Sequence, residues 1–194
     1  MSTTVFESTK TLNQLLVSKA FIDLLLDGEL DAYLLTQKES LDVINTYKEL
    51  IETNKTPLLL FNFGECYRYF SGYDASYEER AKNFYQEAAE CPLQDNDDDK
   101  WIIEAQYMMG ELEYYAALSD SITKEEKFCS AFEWYKKASV RHPVAQFMLG
   151  WCYYYGKGVD EDKNEGLICF RKAAATGNPE VRGLLIRHGF QRFI

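Results

Sequence analysis

Apolar residues recur along this chain in two kinds of stretch that alternate. The first kind is a short apolar run closed by glycine: Leu58-Leu59-Leu60-Phe61-Asn62-Phe63 before Gly64, Ala105-Gln106-Tyr107-Met108-Met109 before Gly110, and Ala145-Gln146-Phe147-Met148-Leu149 before Gly150. The second kind is alanine-rich and amphipathic, at Ala81 to Ala89, Ala131 to Ala138 and Gly166 to Ala174. Apolar spacing at three and four residues predicts helices throughout, and strand signals are nearly absent. The two kinds also repeat in order. The block at Ala105 returns forty residues later at Ala145, and Trp134-Tyr135-Lys136-Lys137-Ala138 returns as Cys169-Phe170-Arg171-Lys172-Ala173. Each unit is therefore a helix pair that cannot bury its apolar face alone and must stack on a neighbour, which predicts an all-α solenoid.

Three such units are expected, at approximately 57–91, 101–140 and 144–177, within a repeat region of 57–194. Length varies between them where a solenoid tolerates it, most visibly in the acidic insertion from Pro92 to Lys100. Gly177-Asn178-Pro179 stops one helix and starts another, so Glu180 to Phe190 reads as a short helix closing the last open face. Residues 1–56 do not fit the repeat. Their apolar stripes, Leu12 to Leu26 and Leu41 to Ile51, predict two or three helices that cap the first unit or bind a partner.

Composition narrows the function classes. Of 31 acidic and 21 basic residues, residues 1–100 hold 19 and 9, and residues 101–194 hold 12 of each, so the net charge of −10 lies in the first half. An acidic surface repels phosphate backbones and anionic lipid, which disfavours nucleic acid and membrane and favours a protein partner with a basic patch. No run of eighteen apolar residues and no secretion leader is visible, and the five cysteines (Cys66, Cys91, Cys129, Cys152 and Cys169) lack CxxC spacing. A reducing cytoplasm and free, packing cysteines are expected, in a monomer or weak homo-oligomer.

The third unit carries a recognisable motif. Gly150-Trp151-Cys152-Tyr153-Tyr154-Tyr155-Gly156-Lys157-Gly158-Val159-Asp160-Glu161-Asp162, followed by Phe170 to Gly177, resembles a Sel1-like repeat, related to tetratricopeptide repeats. The second unit keeps Gly110 and Trp134 to Ala138 but has Glu113 in place of Tyr153 and lacks the paired glycines; the first keeps Gly64, Tyr67, Gly72 and Phe84 to Ala89. In physical terms Gly150 lets two helices touch, Tyr153 fills their interface, Gly156 and Gly158 make the turn, and Asp162 caps the second helix. The resemblance implies a right-handed αα-superhelix used as a protein-interaction scaffold, with virulence-associated adaptors and regulators among its bacterial members.

Candidate contact residues follow from the register. Phe147, Trp151 and Tyr154 share one stripe of their helix, and the corresponding positions are Tyr107, Glu111 and Tyr114 in the second unit and Phe61, Glu65 and Arg68 in the first. Such a ladder, aromatic at one end and charged at the other, suits a recognition surface that takes an aromatic anchor near Trp151 and a basic one near Glu65 and Glu111. Packing between adjacent units calls for the same residue types, so both readings stand at this level.

Catalytic and metal readings find little support. Asp95 to Asp99 and Asp160 to Asn164 lack the glycine and glutamate of a calcium loop and read as solvated loops, and no phosphate-binding glycine loop is present. A hydrolase or transferase would have to use Cys129 or Cys152 with His142, and no nucleophile motif surrounds either cysteine. The expected function is a non-enzymatic adaptor without cofactor or metal. A bacterial effector or regulator that binds and inhibits one enzyme, acting in a host cytosol if secreted, is the alternative within binding.

Overall fold

The computed structural model describes residues 55–70, 76–94 and 99–194, with Glu52 and Asp97, and gives only helical backbone for 69, 70 and 76. The expected N-terminal helices, residue Gly72 and most of the acidic run at 95–98 lie outside the described residues. Seven α-helices and no strand occur among the described residues: α1 (Pro57–Phe70), α2 (Ser76–Ala89), α3 (Asp99–Ser119), α4 (Lys124–Ala138), α5 (Pro143–Tyr155), α6 (Lys163–Ala175) and α7 (Pro179–Arg187), with a closing 3-10 turn at Gln191–Phe193. The fold class is an all-α helical-repeat solenoid. Its chain forms two compact units, Met1–Trp101 and Ile102–Ile194.

Each helix start has a local cause. His142 precedes Pro143 and accepts the Ala145 N–H on Nδ1 at 3.0 Å, Asp162 accepts the Glu165 N–H at 3.0 Å, and Asn178 accepts from Glu180 and Val181 at 2.9 and 3.1 Å. These side chains satisfy amides that the helix leaves open, each contributing about 1 kcal/mol. Helix α4 lacks a capping side chain but carries Glu125 and Glu126 in its first turn and Lys136 and Lys137 in its last, matching the helix dipole. Where the second unit lacks paired glycines, Asp120 builds the turn: it accepts from Ile122 N–H (2.9 Å), the Thr123 hydroxyl (2.6 Å) and Lys127 (3.1 Å). Asp99, expected in a solvated loop, is instead the buried first residue of α3 and accepts the Gln94 N–H at 2.8 Å. Burial there is possible because the carboxylate receives a backbone donor in place of water.

Helices pair through glycine and an aromatic ring. A Cβ on Gly64 would stand 2.7 Å from the Tyr85 ring, one on Gly110 2.6 Å from the Tyr135 ring, and one on Gly150 2.9 Å from Cys169, Phe170 and the Gly166 carbonyl. Only hydrogen at these three positions lets the ring seat flat on the facing helix. The buried rings of Tyr85, Tyr135 and Phe170 each contribute roughly 2–3 kcal/mol. In the first unit Phe63 packs between Tyr67 and Phe84, at ring distances of 4.8 and 4.4 Å. In the second, one core joins Ile103, Phe132, Tyr135, Ala145, Leu149 and Cys152, with Tyr153 against Phe132 at 5.2 Å.

A second core closes the C-terminal end. Phe147 and Phe170 meet Val181 and Leu185 of α7 and Phe190 beyond it, so the last helix covers the apolar face of α5 and α6. Gly177 (φ 68°) ends α6 and Asn178 opens α7, giving the stop and restart read from the sequence. Gly158 is the most constrained residue of the α5–α6 turn. Its φ is 72°, and an added Cβ would lie 2.1 Å from the Phe128 carbonyl oxygen, so this turn rests directly on the α4 backbone of the preceding repeat.

Candidate protein-interaction surface

Position matters more than residue type on the first helix of each pair. The residue after the pairing glycine is Glu65, Glu111 or Trp151, and the ring facing that glycine is Tyr85, Tyr135 or Phe170. These two positions vary together. Where the first is glutamate the second carries a hydroxyl, and the hydroxyl donates to the carboxylate: Tyr85 to Glu65, and Tyr135 to Glu111 at 2.6 Å. Where the first is Trp151 the second is Phe170, so neither an acid nor its donor is present. The glutamates of the ladder are thus part of helix pairing in the first two repeats.

The nine sequence candidates fall into different environments. Phe61 and Phe147 are buried, at 8% and 1% exposure, the first against Tyr85 and Trp101 and the second against Phe170, so both support the surface from beneath. Glu65 is buried as well. Arg68 grips it through Nη2 at 2.8 Å and Nε at 3.3 Å, and this ion pair with the Tyr85 hydroxyl engages both carboxylate oxygens. Arg68 itself is exposed.

Tyr107, Glu111, Tyr114, Trp151 and Tyr154 are half-buried. Trp151 donates its indole N–H to the Tyr114 hydroxyl at 2.9 Å, linking α5 to α3 of the preceding repeat. Tyr107 lies flat on the His142 ring at 4.4 Å. Tyr154 packs edge-on to Phe190 at 5.2 Å. The structure therefore brings Tyr107, Glu111 and Tyr114 around Tyr135, joins Trp151 to Tyr114, and sets Tyr154 beside the C-terminal core.

Three further residues escape a reading by repeat register. Tyr155 meets Trp151 at 4.3 Å, His188 meets its ring at 4.5 Å, and Tyr115 lies at 6.0 Å from Tyr114. Tyr115 and Tyr155 are exposed. The spacing of Trp151 and Tyr155, one helical turn, was the available signal; nothing in sequence places His188 on Trp151.

Electrostatics follow burial. Desolvation pushes the Glu111 carboxyl above its ordinary value, opposed by the hydroxyls of Tyr135 and Tyr107 and reinforced by the neighbouring Glu180. Desolvation also pushes the Cys152 thiol up to about 12, which leaves it without the thiolate a nucleophile needs. His142 has both ring nitrogens engaged, Nδ1 by the Ala145 N–H and Nε2 facing Glu104 at 3.3 Å. All five cysteines are free, Cys129 is exposed, and no group of three potential metal ligands occurs among the described residues. Nor does any described helix have the length and apolarity to cross a membrane.

The sequence profile of the Sel1 repeat matches three stretches, 60–92, 103–139 and 143–178, each containing one glycine–aromatic helix pair. The chain belongs to the Sel1 repeat family. A Sel1 repeat protein from Oxalobacter formigenes, solved by crystallography, is 27% identical to it, with 75% of this chain and 98% of that one covered at a TM-score of 0.51. Sel1 repeats generally mediate protein–protein interaction and are typically non-catalytic. Within the Sel1 register, Gly156 and Gly158 form the turn and Asp162 the cap of the third repeat, as the motif implies.

Proposed function

We propose that this Sel1 repeat protein is a non-enzymatic adaptor that holds a partner protein against the half-exposed aromatics of α3 and α5. One observation carries this reading: Trp151, bonded to Tyr114 and flanked by Tyr155 and His188, is an ordered aromatic platform left partly open to solvent. Large rigid rings of this kind bury much area at small entropic cost, which is why they dominate interface energetics. Tyr107, Tyr114, Tyr154 and Glu111 extend the contact, and Arg68 is the candidate contact of the first repeat. Phe61, Glu65 and Phe147 act by positioning these groups.

Two variants test the reading. Tyr115→Ala with Tyr155→Ala removes exposed rings alone, whereas Trp151→Ala removes the centre of the platform. Proteins captured by the wild-type chain are expected to be lost from both, with the helical circular dichroism of the first variant unchanged. Full retention of every captured protein by both variants overturns the proposal.

A further inference from the structure

The first two repeats present one carboxylate in two states of completion. Glu65 receives the Tyr85 hydroxyl and a two-point contact from the Arg68 guanidinium three residues on. Glu111 receives the equivalent hydroxyl from Tyr135, but the residue three positions on is Tyr114. No ion pair reaches Glu111 among the described residues, and the Glu180 side chain stands close enough to act on it electrostatically. A half-buried carboxylate without a cation forgoes most of the stabilisation its charge can give and retains the desolvation cost.

We infer that Glu111 receives an arginine guanidinium from the partner protein, filling the role that Arg68 fills in the first repeat. The inference rests on the adaptor reading above and names the chemistry of its contact. Arginine fits better than lysine for two reasons on the page. Arg68 shows that a planar fork matches such a carboxylate with its tyrosine already bound. The rings of Tyr107 and Tyr114 flank Tyr135, whose hydroxyl holds Glu111, with Trp151 bonded to Tyr114, so aromatic surface of the kind that attracts a guanidinium lies close by. Substituting tyrosine for the internal arginine thus leaves an anionic notch in an aromatic surface.

The probe is a randomised peptide display library selected on the full-length chain, followed by affinity measurement of the enriched peptides. Enriched peptides are expected to fix one arginine. Changing it to citrulline, which keeps the shape and removes the charge, weakens binding at least about tenfold to the wild type and little further to Glu111→Gln. Glu111→Gln preserves an acceptor for Tyr135, so its unfolding midpoint is not expected to fall, unlike a purely structural glutamate. Peptides that depend on Trp151 yet carry no essential cation, or lose nothing with Glu111→Gln, overturn the inference and leave the adaptor reading standing. A selection that yields no Trp151-dependent peptide overturns both.

Discussion

The Tyr135 hydroxyl donates to the Glu111 carboxylate at 2.6 Å across the α3–α4 interface, and Tyr85 and Glu65 repeat that link across α1 and α2. The difference lies in what completes the acid: an arginine for Glu65, and no cation among the described residues for Glu111. Glu111 is therefore a group whose charge the fold tolerates rather than uses.

This has a consequence for pH. Burial raises the Glu111 pKa in the folded state, so the folded chain binds this proton more tightly than the unfolded chain does. The contribution of Glu111 to stability consequently falls as pH rises from the ordinary carboxylate range through the raised folded value, and the loss is complete above it. Glu111→Gln and wild type are expected to be equally affected by this group below about pH 4, with the variant gaining relative stability as pH climbs toward neutrality. Urea midpoints of the two proteins across that range measure it; a difference that does not change with pH contradicts the burial of this carboxyl.

Glycine substitutions separate packing from backbone strain. Gly158→Ala combines a left-handed φ of 72° with a carbonyl oxygen 2.1 Å from the new methyl, and backbone does not yield as a side chain does. A loss of about 2–4 kcal/mol is expected. Gly183, in α7, meets nothing within 4 Å, so Gly183→Ala should stabilise by about 0.5–1 kcal/mol through the lower entropy of the unfolded chain. Chemical denaturation of both variants gives the ranking, and an equal effect at the two sites contradicts the packing described.

Asn62 supplies a third test. It is fully buried on α1, and among the described residues neither its amide nitrogen nor its oxygen has a hydrogen-bond partner. The other two repeats place Met108 and Met148 at this register. Asn62→Leu, close in volume and without polar atoms, is expected to raise stability by about 1–3 kcal/mol, read as a shift in denaturation midpoint. Destabilisation would mean that the amide is satisfied.

The helix pairs were legible because stacking writes itself into local sequence. Gly110 and Gly150 stand out as the ends of matching apolar runs, Asp162 and Asn178 as caps, and Gly156 with Gly158 as a turn. Asp99 was misplaced in a loop because an aspartate among acids reads as solvated, while its burial depends on the returning Gln94 amide. The contact ladder was legible only as a set of positions. Glu65, Glu111 and Trp151 share a register, yet one is a buried ion pair, one an acid held by a tyrosine and one an aromatic platform.

Sequence by itself determined the period, the helix pairs and the family, because glycine spacing and apolar periodicity are properties of short segments. Tertiary structure alone decided which candidate side chains remain available. Tyr85 lies twenty residues from Glu65, Tyr135 twenty-four from Glu111, and Trp151 thirty-seven from Tyr114. Whether a carboxylate or an indole is spent inside the fold or offered to a partner depends on such distant donors and acceptors, and they meet only once the helices have paired and, for Trp151, once its repeat has packed on the one before.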